Sequence, residues 1–229
     1  MNSRDQAEPG IGDKRLLAEP GRDCPLCPRL VAYRRENQRQ NPDWFNGPAP
    51  SFGDWNGRLL IAGLAPGRTG ANRTGRPFTG DHAGLLLYGT LLKTGFATGD
   101  YDARTDDGLQ LRDCMITNAV RCAPPQNKPE TAEEHNCRPF FAATLAAMPR
   151  LKVIVTLGDV SRRSLMRALG LKATAGLSGH ASEFDAAGYR VINSYHCSRL
   201  NTNTGRLTPE MFQAVFERAR LLIENAGKD

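Results

Sequence analysis

Four short apolar runs punctuate the chain, at Leu59–Leu64, Cys114–Val120, Lys152–Gly158 and Tyr189–Ser194. Each has the length of a strand, and Lys152-Val-Ile-Val-Thr-Leu-Gly158 is apolar almost throughout, as befits a strand covered on both faces in a parallel sheet. Between the runs, apolar residues recur at helical spacing. One helix is expected from about Leu30 to Asn37, with Leu30, Val31 and Tyr33 on one face and arginines on the other. Further helices are expected over Ala83–Leu92, from Pro129 to about Met148, from Asp159 to Leu169 and from Pro209 to Asn225. The helix after Pro129 opens with acidic residues, which the helix dipole favours there. Strands alternating with helices predict an α/β protein: a three-layer α/β/α sandwich whose central, mainly parallel sheet has four strands joined by right-handed crossovers.

The remaining stretches read as loops. Residues 40–57 carry both tryptophans among Pro, Gly and Asn, and residues 96–111 are polar. Residues 1–22 are polar and without period, so a loosely held arm is expected there, followed by a single domain over residues 23–229.

Composition narrows the partner. A formal charge of +6, with arginine in nearly every loop, favours a polyanion over an acidic surface. No stretch of eighteen or more apolar residues occurs, and the N-terminus lacks the apolar core of a signal peptide, so a soluble, cytoplasmic protein with no membrane partner is expected. In that compartment six cysteines do not predict a disulfide framework. Cys24-Pro-Leu-Cys27 places two thiols within reach of one metal, and Cys122 and Cys137 follow the second strand. Four thiolates suit either tetrahedral zinc or a cubane iron–sulfur cluster, and the wide scatter predicts a structural centre stapling the N-terminal segment to the mid-chain helix. Cys114 lies within an apolar strand and reads as a buried hydrophobe.

Ligands of parallel sheets bind beyond the carboxyl ends of the strands. Three loops meet there. GLAPGRTGANRTGRPFTGD, residues 63–81, holds five glycines and two prolines and carries Asn72, Arg73, Arg76, Phe78 and Asp81. The second runs from Asn118 to Pro129, and the third, Tyr195–Arg206, carries His196, Ser198, Arg199, Leu200 and Arg206. Together they supply a ring to stack, an amide to pair with a base edge, a histidine and cations, the inventory for a base on a phosphate backbone. The glycine loop does not match the phosphate loop of nucleotide triphosphatases.

GLAPGRTGANRTGRPFTGD, TNAVRCAPPQNKP and SYHCSRLNTNTGRLTPEMF, with Cys24-x-x-Cys27 and Cys137, resemble the iron–sulfur uracil-DNA glycosylases, specifically family 5, the type b group. The resemblance runs from about Cys24 to the C-terminal helix. It implies the uracil-DNA glycosylase fold, a structural [4Fe-4S] cluster on Cys24, Cys27, Cys122 and Cys137, and a monofunctional enzyme, a monomer, that hydrolyses the N-glycosidic bond of deaminated bases flipped from DNA. It further implies that Gly63, Ala65, Phe78 and Asn118 surround the base, with Phe78 stacking on it and Asn118 pairing with its edge. His196 would hydrogen-bond the carbonyl that gains charge, and Ser198-Arg199-Leu200 would fill the gap in the duplex, with Arg73, Arg76 and Arg206 on the phosphates.

Gly63-Leu64-Ala65-Pro66 offers no polar side chain to direct water, which leaves Asn72 and Asp81 as the candidates. A pocket lacking a carboxylate is expected to be roomy and to admit hypoxanthine and xanthine beside uracil. The family's usual His-Pro-Ser is here His196-Cys197-Ser198, which removes a fixed φ and adds a thiol. Two other readings compete: a damaged-DNA or abasic-site binder without turnover, and a zinc-stabilised RNA-binding protein.

Overall fold

The computed structural model describes residue 15 and residues 17–226. Its centre is a six-stranded sheet. The strands are β1 (Phe52–Gly53), β2 (Leu59–Gly63), β5 (Cys114–Asn118), β6 (Val153–Leu157), β7 (Glu183–Ala186) and β8 (Tyr189–Ser194), in the order β1-β5-β2-β6-β8-β7. β3 (Ala97–Thr98) and β4 (Gln110–Leu111) form a separate antiparallel pair. The four expected strands, β5, β2, β6 and β8, pair in parallel, and short antiparallel strands cap both edges. Neither cap was foreseen: β1 has two residues, and β7 keeps the partial exposure of an edge strand.

β2, β5 and β6 are buried along their whole length, because helices cover both faces. Leu59, Ile61, Ile116, Val153 and Val155 pack on one side with α3 (His82–Lys93) and α7 (Pro209–Asn225). Leu60, Met115, Ile154 and Val191 pack on the other with α4 (Thr131–Ala146) and α5 (Asp159–Ala168). This is the three-layer sandwich that the alternating pattern predicts. Helix starts follow their sequence signals. Asp81 caps α3 by accepting from the Gly84 N–H at 3.0 Å, and Thr208 caps α7, which opens on Pro209. A Glu130–Glu133 capping box opens α4.

α1 (Pro28–Gln40) lies over the loop that follows β5, where Leu30 packs with Val120 and Cys137. Two short helices, α2 (Ala71–Thr74) and α6 (Arg199–Asn203), interrupt stretches expected to be loops. Part of the expected N-terminal arm, residues 1–14 and 16, lies outside the described residues. Its last residues are not loose. Ala18 is fully buried, and Glu19 pairs with the buried Arg121 at 3.2 Å.

Candidate active site

The parallel register aligns Gly63 with Asn118 and Leu157 with Ser194, so the four following loops open at one edge of the sheet. There they enclose a cavity of about 500 Å³ whose walls include Leu64–Thr69, Phe78, Asp81, Asn118, Asn127, Gly158–Ser161, His196, Ser198 and Arg199. A second cavity of about 430 Å³ shares Gly158, Asp159 and His196 with it and adds Tyr195, Asn201 and Arg206. Arg206 is exposed and stacks on Tyr195 at 4.4 Å.

Asn118 ends β5, and its carboxamide Oδ1 is buried with no hydrogen-bond partner among the described residues. Such an atom costs about 1–3 kcal/mol when left unmatched, so its position in a cavity wall calls for an outside donor. Gly63 is what lets it sit there. A Cβ on Gly63 would lie 2.3 Å from Asn118 Oδ1 and 2.8 Å from Phe78 Cζ.

Phe78 is held in the left-handed region, at φ 53°, a strained conformation for an aromatic residue. Its carbonyl accepts from the Tyr101 hydroxyl at 3.1 Å, and that of Pro77 accepts from Tyr88. The first turn of α3 presses on the same carbonyl so closely that a Cβ on Gly84 would stand 1.7 Å from it. The ring therefore flanks the cavity in one orientation. His196 faces it, with ring centroids 6.3 Å apart and planes 35° from parallel. Burial lowers the His196 pKa below its usual value, against a smaller opposing pull from the Asp81 carboxylate. At neutral pH the imidazole is thus uncharged and offers one N–H.

Two carboxylates, Asp81 and Asp159, line the cavity, so the expectation of a pocket without one is corrected. One oxygen of Asp81 is committed to the α3 cap, and the other has no hydrogen bond among the described side chains. Asn72 is not part of the site. It is buried in α2 and its Nδ2 donates to Asn46 Oδ1 at 3.0 Å, pinning the loop that carries Trp44 and Phe45. Arg76 also leaves the set of DNA-facing residues. It is buried beneath Phe52, Tyr88 and Tyr101 and forms a bidentate pair with Asp107 at 2.9 and 2.7 Å. Arg73 is exposed outside the cavity, where its guanidinium donates to Thr69 O and Gly80 O. Arg68, not singled out from sequence, lines the cavity and stacks on Trp44 at 5.2 Å. Asn127, likewise unforeseen, stands on the rim beside Gln126, both at positive φ. Both belong to quoted motifs, so the signal was present without a rank.

Ser198 caps α6, and two contacts anchor that helix: Asn201 Nδ2 donates to His196 O at 2.8 Å, and His82 Nε2 meets Thr202 Oγ1 at 3.0 Å. Leu200 projects from it with 72% of its surface exposed, an apolar side chain with no covering in the fold. Cys197, just before it, is buried.

Ala65 faces the cavity and also packs against a second cluster of Leu30, Val120 and Cys137, which Cys27 and Cys122 border as well. Cys24, Cys27, Cys122 and Cys137 line one cleft between α1, the loop after β5, and α4. Among the described residues no group of three or more Cys, His, Asp or Glu stands at metal-binding spacing. The surroundings nevertheless suit sulfur ligands. The Arg121 N–H donates to Cys137 Sγ at 3.3 Å, Asn136 Nδ2 to Cys27 Sγ at 3.7 Å, and Arg34 to Cys122 Sγ at 3.8 Å. Burial pushes the Cys137 thiol up to about 11 and the Cys122 thiol up to about 12, so a metal centre would have to displace their protons. No described helix is long and apolar enough to cross a membrane.

A cavity with room for a nucleobase at the mouth of a parallel sheet, with a ring, an amide and a histidine converging on it, defines a class of base-recognising α/β proteins. Residues 50–220 match the uracil DNA glycosylase superfamily. The chain is 42% identical to the type-5 uracil-DNA glycosylase of Thermus thermophilus over 92% of this chain and 98% of that protein. It is also 42% identical to that of Pyrobaculum aerophilum, over 86% and 88%. A type-4 uracil-DNA glycosylase of Pyrobaculum aerophilum is 30% identical over 70% of this chain and 68% of its own length. The chain belongs to the type-5 uracil-DNA glycosylases of this superfamily.

Proposed function

We propose that the protein is a monofunctional DNA repair glycosylase of the cytoplasm, acting as a monomer on deaminated bases flipped out of DNA and leaving an abasic site. The observation that carries this reading is the unpartnered, buried Oδ1 of Asn118 in a cavity wall flanked by Phe78 and His196. Phe78 stacks on the base, Asn118 pairs with its edge, and Leu200, presented by α6 beside Ser198 and Arg199, wedges into the vacated stack. Arg68, half-buried in the cavity wall, and the exposed Arg73, Arg199 and Arg206 meet the phosphates. As the N-glycosidic bond breaks, negative charge grows on the base, and the neutral His196 N–H stabilises it. The free oxygen of Asp81 orients the water that attacks the sugar. Its cap bond to Gly84 fixes the carboxylate, and its place in the cavity wall favours it over Asn72.

Cys24, Cys27, Cys122 and Cys137 hold a [4Fe-4S] cluster in this reading. Its support is one cleft lined by all four thiols, with N–H donors aimed at three of them. Bound there, the cluster is structural, clamping α1 to the loop after β5.

A cavity of about 500 Å³ supports a substrate range that includes hypoxanthine and xanthine beside uracil. The damage-binding alternative rested on the absence of a water-directing side chain in Gly63–Pro66, and Asp81, a candidate for that role, lines the cavity. Oligonucleotides carrying each base, incubated with protein purified without oxygen and then treated with alkali, test the reading. Strand scission is expected for all three. Scission of uracil alone would remove the broad range, and binding without any scission would restore the alternative.

A further inference from the structure

We propose that Arg121, clamped by Glu19, is a positioning residue that closes the cysteine site and couples it to the strand end bearing Asn118. This rests on the reading of the four cysteines as a cluster site.

Arg121 is among the largest fully buried side chains of the described residues. A buried guanidinium is expensive unless its donors are met, and an apolar side chain of similar volume would serve stability as well or better. Its two terminal nitrogens find partners on three segments of the chain, and Nε alone has none among the described residues. Nη1 donates to Glu19 Oε2 at 3.2 Å and to Ser51 Oγ at 2.8 Å. Nη2 donates to Thr144 Oγ1 at 2.7 Å and to Ala18 O at 3.2 Å.

These partners lie on every segment that carries a cysteine of the cleft. Glu19 precedes Cys24 and Cys27, Arg121 adjoins Cys122, and Thr144 lies on α4 with Cys137. The Arg121 backbone N–H itself donates to Cys137 Sγ. One planar fork thus fixes all the ligand-bearing segments, a geometry that lysine's single ammonium does not reproduce. The network also reaches the cavity. Ser51 Oγ, held by Arg121, lies 3.0 Å from Thr117 Oγ1, and Thr117 directly precedes Asn118 in β5. Glu19 closes the circuit by accepting from the Ser51 N–H at 3.0 Å.

The test compares wild type with Glu19→Gln, a partly exposed position where the change removes charge and keeps shape. Iron content of the anaerobically purified proteins is measured first, then the rate of iron release to a ferrous chelator, with far-UV circular dichroism to show that the chain stays folded. Residual scission of a uracil oligonucleotide is followed over the same time course. Iron release about tenfold faster from Glu19→Gln, with rescue by Glu19→Asp and with activity falling in step with iron, is the expected result. Equal release rates overturn the clamp, and full activity after iron loss overturns the coupling. Iron-free wild type would instead refute the cluster reading, and the proposal with it, before any variant is compared.

Discussion

Leaving Asn118 Oδ1 buried and unmatched costs about 1–3 kcal/mol, and the fold makes that outlay at the one strand end where Phe78 and His196 also converge. The residue types of the site were legible from sequence because three loops at strand ends carried them. Side-chain direction was not. Asn72 and Asp81 stand nine positions apart in one glycine-rich loop, yet one caps a helix at the cavity and the other is spent on Asn46. Arg76 looked like a phosphate contact because Asp107, its partner, lies thirty-one residues away in a polar loop. Arg76→Met strands a buried carboxylate and should lower folding stability by about 3–5 kcal/mol, measured by denaturant unfolding, while DNA affinity of the folded protein stays unchanged. Selective loss of affinity would return Arg76 to the interface. His196→Ala should lower the single-turnover rate by about 3–4 kcal/mol of barrier and leave DNA affinity nearly intact. Because burial lowers the His196 pKa, its proton is lost below the ordinary value of 6.5. The pH–rate profile should therefore show no histidine limb from pH 7 upward, and any such limb belongs on the acid side. A limb above 6.5 that vanishes in His196→Ala would contradict this.

At the scale of elements, long periodic segments were readable and short ones were not. The four parallel strands and the five principal helices appear within a few residues of their expected bounds. β1, β7, α2 and α6 escaped because two to five residues carry too little periodicity, and their conformation is set by the neighbours they touch. α6 matters most among them, since it presents Leu200 from a helix anchored by His82 and Asn201 where the sequence suggested a free loop. Gly63 and Gly84 make room for the protein's own Asn118, Phe78 ring and Phe78 carbonyl. Gly84→Ala should push Phe78 off its strained position and lower the excision rate about a hundredfold, beyond any loss in folded fraction read from circular dichroism. An unchanged rate would mean that α3 yields instead.

Over the whole molecule, the charge of +6 pointed to a polyanion, and the fold sorts which arginines are free to meet it. Arg76 and Arg121 are buried, whereas Arg68, Arg73, Arg199 and Arg206 stand around the cavities or on the surface beside them. If each of these four neutralises one phosphate, the logarithm of duplex affinity falls against the logarithm of salt with a slope of about −3.6. A salt-independent affinity would contradict that footprint. The N-terminal segment was the least legible part, because a polar, aperiodic stretch gives no hint that Ala18 and Glu19 dock on a buried arginine more than a hundred residues away. The central claim is that this cavity takes an extruded base and that Asn118 recognises it. It is tested most directly by single-turnover excision of uracil from duplex DNA by wild type and Asn118→Ala, with duplex affinity measured alongside. The account predicts alkali-labile product from wild type and a rate about a hundredfold lower in the variant at similar affinity. Equal rates in the two proteins, or no product from wild type, would contradict it.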